Sequence, residues 1–275
     1  MKISILLAAV LMTTTAWAQT PQGEIKGQAL VHTAESARAV VQGGALVLPA
    51  SVTGGTVYAG PLRDVPGNLS GKVPVVVFLH GSTGLGLKAI GEWQQWLATL
   101  GIASFAPDSF GLPDRVTYKS PISQDMYEKI HALRGSEIAL AVQALKAAPW
   151  ADTGRMVLAG TSEGATSVAR YAGDEFVGRI IFSWSCESNY FVQSPQTAIP
   201  ANRPVLNVIS STDPFFSSAN TWLGNPQAQG HCGTALKDHK QASVVLIPGA
   251  PHTLLNLSAA RQPVAGFLTA NLLNP

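Results

Sequence analysis

From residue 73 to the end of the chain, short runs of apolar residues alternate with longer segments that have the spacing of amphipathic helices. The short runs are almost continuously apolar, which is typical of strands that are buried on both faces of a parallel sheet. Because helical segments separate the runs, the order predicts right-handed βαβ crossovers and a doubly wound, mostly parallel sheet of the α/β class. The predicted strands are residues 73–79, 102–106, 155–159, 179–183, 204–209 and 243–247, and the predicted helices are residues 87–100, 125–148, 162–172 and 258–273.

The region before the first of these strands has a different character. Residues 19–72 are rich in Gly, Pro, Thr and Val, and residues 45–48 and 56–59 are candidate strands. Mixed sheets often carry antiparallel strands at one edge, and we expect these two strands to be added there. No repeat, low-complexity tract or linker divides the chain, so residues 19–275 are predicted to form a single domain.

The first 18 residues have the pattern of a secretory signal peptide. Lys2 supplies the positive charge, residues 3–12 are apolar, and residues 16–18 read Ala-Trp-Ala, an A-x-A cleavage site. The alternative is a membrane anchor, but the apolar run is shorter than the roughly 20 residues that span a bilayer. We therefore predict cleavage after Ala18, no membrane association of the mature chain, and a periplasmic or secreted location.

Cys186 and Cys232 are the only cysteines of the chain. Export permits disulfide formation, and an even number of cysteines in an exported chain favours pairing between them. Two buried thiols are one alternative and a metal site is another, although His231 beside Cys232 leaves too few clustered ligands for the usual zinc spacings. The sequence thus predicts a structural disulfide and no metal.

Neither the charge nor the glycine pattern favours a phosphate-containing ligand. The net charge is +2 and the 18 Lys and Arg residues are scattered, so no nucleic-acid partner is expected. A dinucleotide site is an alternative interpretation of Gly81, Gly84 and Gly86, which follow the first strand, with Asp108 further on. However, the glycines are spaced G-x-x-G-x-G rather than G-x-G-x-x-G, and no Lys-Ser or Lys-Thr of a phosphate loop follows them.

Chemically reactive side chains follow the predicted strands at their carboxyl ends, where open parallel sheets bind ligands. Ser162 follows the third strand, Asp213 the fifth and His252 the last. A serine hydroxyl becomes a nucleophile when a histidine takes its proton, and the histidine in turn needs a carboxylate to orient it. Gly160 and Gly164 permit the sharp strand-to-helix turn that presents such a serine. These positions predict a catalytic triad of Ser162, Asp213 and His252.

Other polar residues near the strand ends have less reactive interpretations. Glu187 follows the fourth strand and is the alternative triad acid. His80 and Asp108 are expected to hold their own loops by hydrogen bonds, and Arg134 and Glu137, three residues apart on a helix, to form a solvated ion pair. Five aromatic residues in segments after strands either line the site or pack in the loops: Tyr118, Tyr190, Phe191, Phe215 and Phe216.

Five motifs occur in chain order between residue 73 and the C-terminus: HGSTG, APDSFG, GTSEG, SSTDPF and PGAPHTLL. In these motifs the chain resembles the α/β-hydrolase superfamily, and within it is similar to the dienelactone-hydrolase-like group. The resemblance implies a sheet of the α/β-hydrolase type and no cofactor. Dienelactone hydrolases have a cysteine nucleophile, whereas this chain has Ser162 at the sharp strand-to-helix turn, which is called the nucleophile elbow in this superfamily. Ester hydrolysis by a serine triad is therefore a safer inference than lactone specificity.

The resemblance also implies an oxyanion hole made of two backbone N–H donors. One belongs to Glu163, the residue after the nucleophile, and the other to Ser82 in the first loop, with Thr83 as the alternative. We therefore expect an exported serine hydrolase that cleaves small-molecule carboxylic esters through an acyl-enzyme. The alternatives are another acyl-transfer activity on the same triad, as in a peptidase, lactonase or acyltransferase, and a non-catalytic binding protein on a hydrolase fold.

Overall fold

The computed structural model describes residues 21–274, and the predicted signal peptide lies outside this range. The described residues form an eight-stranded sheet flanked by helices and a separate two-stranded sheet. The strands are β1 (Glu24–Lys26), β2 (Ala45–Leu48), β3 (Tyr58–Pro61), β4 (Val73–Leu79), β5 (Ala103–Ala106), β6 (Thr117–Lys119), β7 (Ala151–Thr161), β8 (Gly178–Phe182), β9 (Val205–Ser210) and β10 (Ala242–Ile247). The helices are α1 (Ala34–Gln42), α2 (Ala50–Thr53), α3 (Lys88–Thr99), α4 (Gln124–Ala147), α5 (Glu163–Arg170) and α6 (Ser258–Leu268), with short 3-10 turns at Leu62–Asp64 and Ser109–Gly111 and a π turn at Thr269–Leu273.

The large sheet has the predicted mixed topology. Its strand order is β10-β9-β8-β7-β4-β5-β2-β3, and every neighbouring pair from β10 to β5 is parallel. Strand β2 runs antiparallel to β5 and to β3, so the N-terminal region supplies the antiparallel edge. The α/β fold with a doubly wound, mostly parallel sheet and antiparallel N-terminal edge strands is confirmed.

Two apolar cores lie on opposite faces of this sheet. In β4, Val75 and Val77 join the core beneath α4 and α5, whereas Val76 and Phe78 join the core beneath α3 and α6. Successive side chains of a strand point to opposite faces, and both faces of β4 are covered. This double burial is the physical reason for the continuous apolar run at Val73–Leu79.

The structure contains elements that the sequence pattern does not predict. Helix α1 lies where only strands are expected, and its start is fixed by Thr33 and Ser36, whose side chains each accept a hydrogen bond from the other's backbone N–H. Strand β1 pairs with β6 in the small antiparallel sheet. Among residues 21–274, none of the helices combines the length and hydropathy needed to span a bilayer.

Cys186 and Cys232 form a disulfide in the structure. It joins the segment after β8 to the segment between β9 and β10. Both cysteines are buried, and the backbone N–H of Cys232 donates to the side-chain oxygen of Asn207 on β9. The bridge therefore fixes a long connection next to the carboxyl end of the sheet, where the candidate site lies.

Candidate active site

Ser162 lies at a sharp turn between β7, which ends at Thr161, and α5, which begins at Glu163. Its backbone φ is 54°, a left-handed conformation that residues other than glycine rarely adopt. Such strained residues cluster at functional turns. The backbone packs closely around the turn, because a Cβ at Gly160 would lie 2.9 Å from the Gly164 carbonyl carbon and one at Gly164 would lie 2.4 Å from the Leu79 oxygen. The two glycines thus allow the elbow that the sequence predicts.

Asp213 lies beside His252 at the same end of the sheet. The Nδ1 atom of His252 is 2.7 Å from Oδ2 of Asp213, whose side chain is fully buried. The other carboxylate oxygen accepts hydrogen bonds from the backbone N–H groups of Phe215 (2.9 Å) and Phe216 (3.1 Å). Asp213 is therefore held in place by its own loop and can fix the ring orientation of His252.

Glu187, the alternative acid, is engaged elsewhere. Its two carboxylate oxygens accept hydrogen bonds from the backbone N–H groups of Gln229 (2.7 Å) and Gly230 (2.9 Å). The carboxylate thus ties together the segment after β8 and the loop that leads to Cys232. Asp213, not Glu187, is the carboxylate in contact with His252.

Ser162 and His252 line one cavity of about 160 Å³. Gly81, Ser82 and Thr83 of the first loop line the same cavity, so the loop that carries the predicted oxyanion donor faces the nucleophile. No hydrogen bond joins Ser162 to His252 within residues 21–274. Catalytic hydrogen bonds are often long without substrate and shorten in the substrate complex, so this arrangement is compatible with proton transfer between the two side chains.

Aromatic side chains form much of the cavity wall. The Phe215 ring centroid is 4.7 Å from that of His252, and the Phe216 centroid is 5.9 Å away. Burial, with a further contribution from the Glu163 carboxylate, raises the pKa of Tyr118 well above its ordinary value, and burial also raises the pKa of Tyr190. Both phenols therefore stay protonated to a higher pH than a free tyrosine does. For five aromatic residues the sequence did not decide between lining the site and packing in the loops. All five line the cavity: Tyr118, Tyr190, Phe191, Phe215 and Phe216.

His80 and Asp108 hold the loops around the site, as predicted. The Nδ1 atom of His80 is 2.7 Å from the Gly81 oxygen, and its Nε2 accepts a hydrogen bond of 3.1 Å from the Ser109 N–H. Burial, reinforced by the Arg134 charge, lowers the pKa of His80 well below its ordinary value, so the ring is neutral. Asp108 accepts a hydrogen bond from the Phe110 N–H at 3.0 Å and caps the short turn that follows.

The prediction of a solvated pair for Arg134 and Glu137 is wrong. Both side chains are fully buried, and Arg134 Nη1 lies 2.7 Å from Glu137 Oε2. The reason is tertiary, because α4 packs against α5 and β4 and turns this face towards the elbow.

Sequence reasoning also missed Arg115 and the carboxylate of Glu163, which form a buried ion pair at 2.6 Å. An acidic residue among the small residues of an elbow helix was the available signal, because a buried carboxylate requires a charged partner.

Residues 64–265 match the sequence model of the dienelactone hydrolase family. No curated protein sequence matches the chain. Among solved structures, Est1E from Butyrivibrio proteoclasticus is 18% identical, with a TM-score of 0.53 over 84% of this chain and 94% of that one. Esterase PE8 is 17% identical, with a TM-score of 0.53 over 83% and 98%. A dienelactone hydrolase from Anabaena variabilis is 15% identical, with a TM-score of 0.50 over 84% and 90%. These structures share the fold of this chain.

Proposed function

Because the chain belongs to the dienelactone hydrolase family, we propose that it is a serine hydrolase that cleaves carboxylic esters through an acyl-enzyme. The family and its esterase neighbours support hydrolase chemistry. The observation that carries the finer proposal is the contact between Asp213 and His252, because His252 lines the same cavity as Ser162 at its strained turn. A base oriented by a buried carboxylate in the same cavity as a half-buried serine is the arrangement that acyl transfer requires.

The proposed cycle uses only these side chains, backbone N–H groups and water. Ser162 Oγ attacks the ester carbonyl carbon while Nε2 of His252 takes the hydroxyl proton. The N–H groups of Ser82 and Glu163 stabilise the oxyanion, and the Asp213 carboxylate stabilises the imidazolium. The tetrahedral intermediate expels the alcohol, which takes the proton from His252. Water then attacks the acyl-enzyme with His252 as base, releasing the carboxylic acid and restoring Ser162.

A fluorophosphonate tests this proposal directly, because it reacts with an activated serine and needs no knowledge of the natural substrate. We expect intact-mass analysis to find a single adduct, which peptide mapping places on Ser162. The adduct should be absent when His252 is replaced by alanine, since the serine then has no base. Lack of any adduct on the folded wild-type protein would contradict the proposal and favour the binding-protein alternative.

We further propose that the acyl group of the substrate is small, namely a short chain or a single ring. The cavity of about 160 Å³ is close in size to an engineered apolar cavity of about 150 Å³ that binds benzene. Its aromatic wall suits edge-to-face contact with a ring, which stabilises aromatic pairs beyond area burial. Est1E, which shares this fold, has been solved with ferulic acid bound.

Rates on methyl esters of increasing acyl size test this limit. We expect kcat/KM to rise from acetate to butyrate and benzoate, as more apolar surface is buried. It should then fall by about 10-fold or more for dodecanoate, since overfilling a packed site costs roughly 1–3 kcal/mol. Leu87 lines the cavity outside the proposed triad, and Leu87→Ala should shift the preference towards longer chains. Equal kcat/KM values for benzoate and dodecanoate would contradict the size limit.

We also propose that the mature protein acts in the periplasm or outside the cell. The signal-peptide pattern of residues 1–18 supports export. The Cys186–Cys232 disulfide is compatible with it, because disulfides persist in oxidising compartments. Among the described residues, both cysteines belong to this disulfide, so no free thiol is present to be oxidised after export.

A further inference from the structure

Five buried side chains form a closed ring of ion pairs and hydrogen bonds beneath the elbow, and we call it the elbow ring. Glu163 Oε1 lies 2.6 Å from Arg115 Nη2, and Arg115 Nε donates to Ser109 Oγ at 2.6 Å. Ser109 Oγ donates to Glu137 Oε1 at 2.5 Å, and Glu137 Oε2 lies 2.7 Å from Arg134 Nη1. Arg134 Nε closes the ring 3.4 Å from Glu163 Oε1. The four charged side chains are at most 1% exposed.

Stability alone does not account for this ring. Taking a charged side chain out of water costs several kcal/mol, and apolar residues of similar volume often replace buried ion pairs without loss of stability. The hydrogen bonding of the ring is also imperfect, because Glu163 Oε2 is buried and makes no well-aligned hydrogen bond among residues 21–274. A costly and incompletely satisfied polar group next to a reactive serine points to a role in the chemistry.

The ring connects the two backbone segments that bear the proposed oxyanion donors. Glu163 directly follows the nucleophile and contributes one N–H donor. Arg134 Nη2 donates to the backbone oxygen of His80 at 2.8 Å, two residues before Ser82, which contributes the other. The same guanidinium thus contacts the first loop through His80 and the elbow through Glu163. The planar guanidinium holds several acceptors in a fixed geometry.

We propose that Arg134 and the Glu163 carboxylate are positioning residues that set the separation of the two oxyanion N–H donors. This inference rests on the proposed function, since it requires an oxyanion to bind. Neither charged group lines the cavity that holds Ser162 and His252, so both act through the backbone they hold. Oxyanion donors work over a narrow range, about 2.7–3.1 Å from the oxygen, and an error of about 1 Å can reduce the rate 100-fold.

Two conservative variants test the proposal. Glu163→Gln keeps the shape but removes the charge shared by Arg115 and Arg134, and Arg134→Lys keeps the charge but loses the planar fork. We expect each variant to lower kcat by about 10- to 100-fold, with KM on a small ester within about 2-fold of wild type. Affinity for a trifluoromethyl ketone, which mimics the tetrahedral intermediate, should fall in parallel with kcat/KM. A merely structural role would lower the active fraction, and with it the apparent kcat at unchanged KM, but the molecules that fold would bind the trifluoromethyl ketone with wild-type affinity.

Glu128→Gln is the matched control. Glu128 also pairs with an arginine, since its carboxylate lies 2.5 Å and 3.1 Å from two nitrogens of Arg170, but it contacts neither the elbow nor the first loop. Its loss should lower stability and leave kcat per folded molecule unchanged. The positioning role is overturned if Glu163→Gln and Arg134→Lys fold and retain wild-type kcat, or if neither folds even at low temperature. A wild-type protein that hydrolyses no ester would instead contradict the proposed function itself.

Discussion

Replacing Ser162 with alanine is expected to lower kcat for ester hydrolysis by about 10⁴- to 10⁶-fold, the range found when a triad nucleophile is removed. The reason is that no acyl-enzyme can form without the hydroxyl, and only the oxyanion donors and the bound geometry remain to assist water. The fold should be retained, because the change removes one oxygen from a side chain that faces the cavity. Steady-state rates on methyl butyrate and a thermal unfolding curve would measure both effects.

Ser167→Ala is the control for this variant. Ser167 is a buried serine on α5, the helix that follows Ser162, and its hydroxyl donates to the His131 backbone oxygen at 3.2 Å. Its loss should cost stability of about 0.5–1.5 kcal/mol, as for a typical hydrogen bond, while kcat stays within a few-fold of wild type. Full activity of Ser162→Ala on any ester that the wild type cleaves would remove Ser162 from the nucleophile role.

The sequence predicts the fold best where a strand is buried on both faces of the sheet. Strand Val73–Leu79 has its predicted bounds, because every residue is buried and the apolar run ends where the strand ends. Helix α1 gives a much weaker signal, since only Ser36 and Val40 are fully buried, Ala37 and Val41 are half-buried, and its other residues are exposed. Strand β1 is three residues long and exposed, so its pairing with β6 depends on tertiary contacts that no local pattern encodes.

The candidate triad could be predicted because parallel topology brings the carboxyl ends of strands together. Ser162, Asp213 and His252 follow β7, β9 and β10, and the structure places all three at one end of the sheet. The choice between Asp213 and Glu187 could not be made in the same way. Both follow strands, and only the course of the loops decides which carboxylate reaches the histidine.

The elbow ring lay beyond sequence reasoning for a related reason. Local spacing indicates that Arg134 and Glu137 can touch, but it says nothing about whether their helix face meets solvent or protein. Burial of that face follows from how α4 packs on α5 and β4, and the partners Ser109 and Arg115 come from a distant loop. A spacing of three residues on a helix, which is typical of solvent-exposed ion pairs, can therefore also belong to a buried ion pair that packs beneath the elbow.

Asp213→Asn is expected to lower kcat by about 10⁴-fold, which is the effect of the equivalent change in serine proteases. The Asp213 carboxylate lies 2.7 Å from Nδ1 of His252 and directs that nitrogen to carry the proton, which leaves Nε2 free to act as base. An asparagine amide can present its NH₂ group instead, which favours the wrong tautomer and cannot stabilise the imidazolium. Its oxygen can still accept from the Phe215 and Phe216 N–H groups, so the loop should keep its conformation.

Glu187→Gln provides the comparison that makes this result decisive. Glu187 follows the preceding strand of the sheet and also carries a carboxylate, but that carboxylate binds the backbone of Gln229 and Gly230. Its replacement should weaken that loop and leave kcat within a few-fold of wild type. If the two variants exchanged these effects in steady-state kinetics, with Glu187→Gln inactive and Asp213→Asn active, the triad acid would be Glu187. The cavity would then have to rearrange on binding substrate, because the His252–Asp213 contact would have to break first.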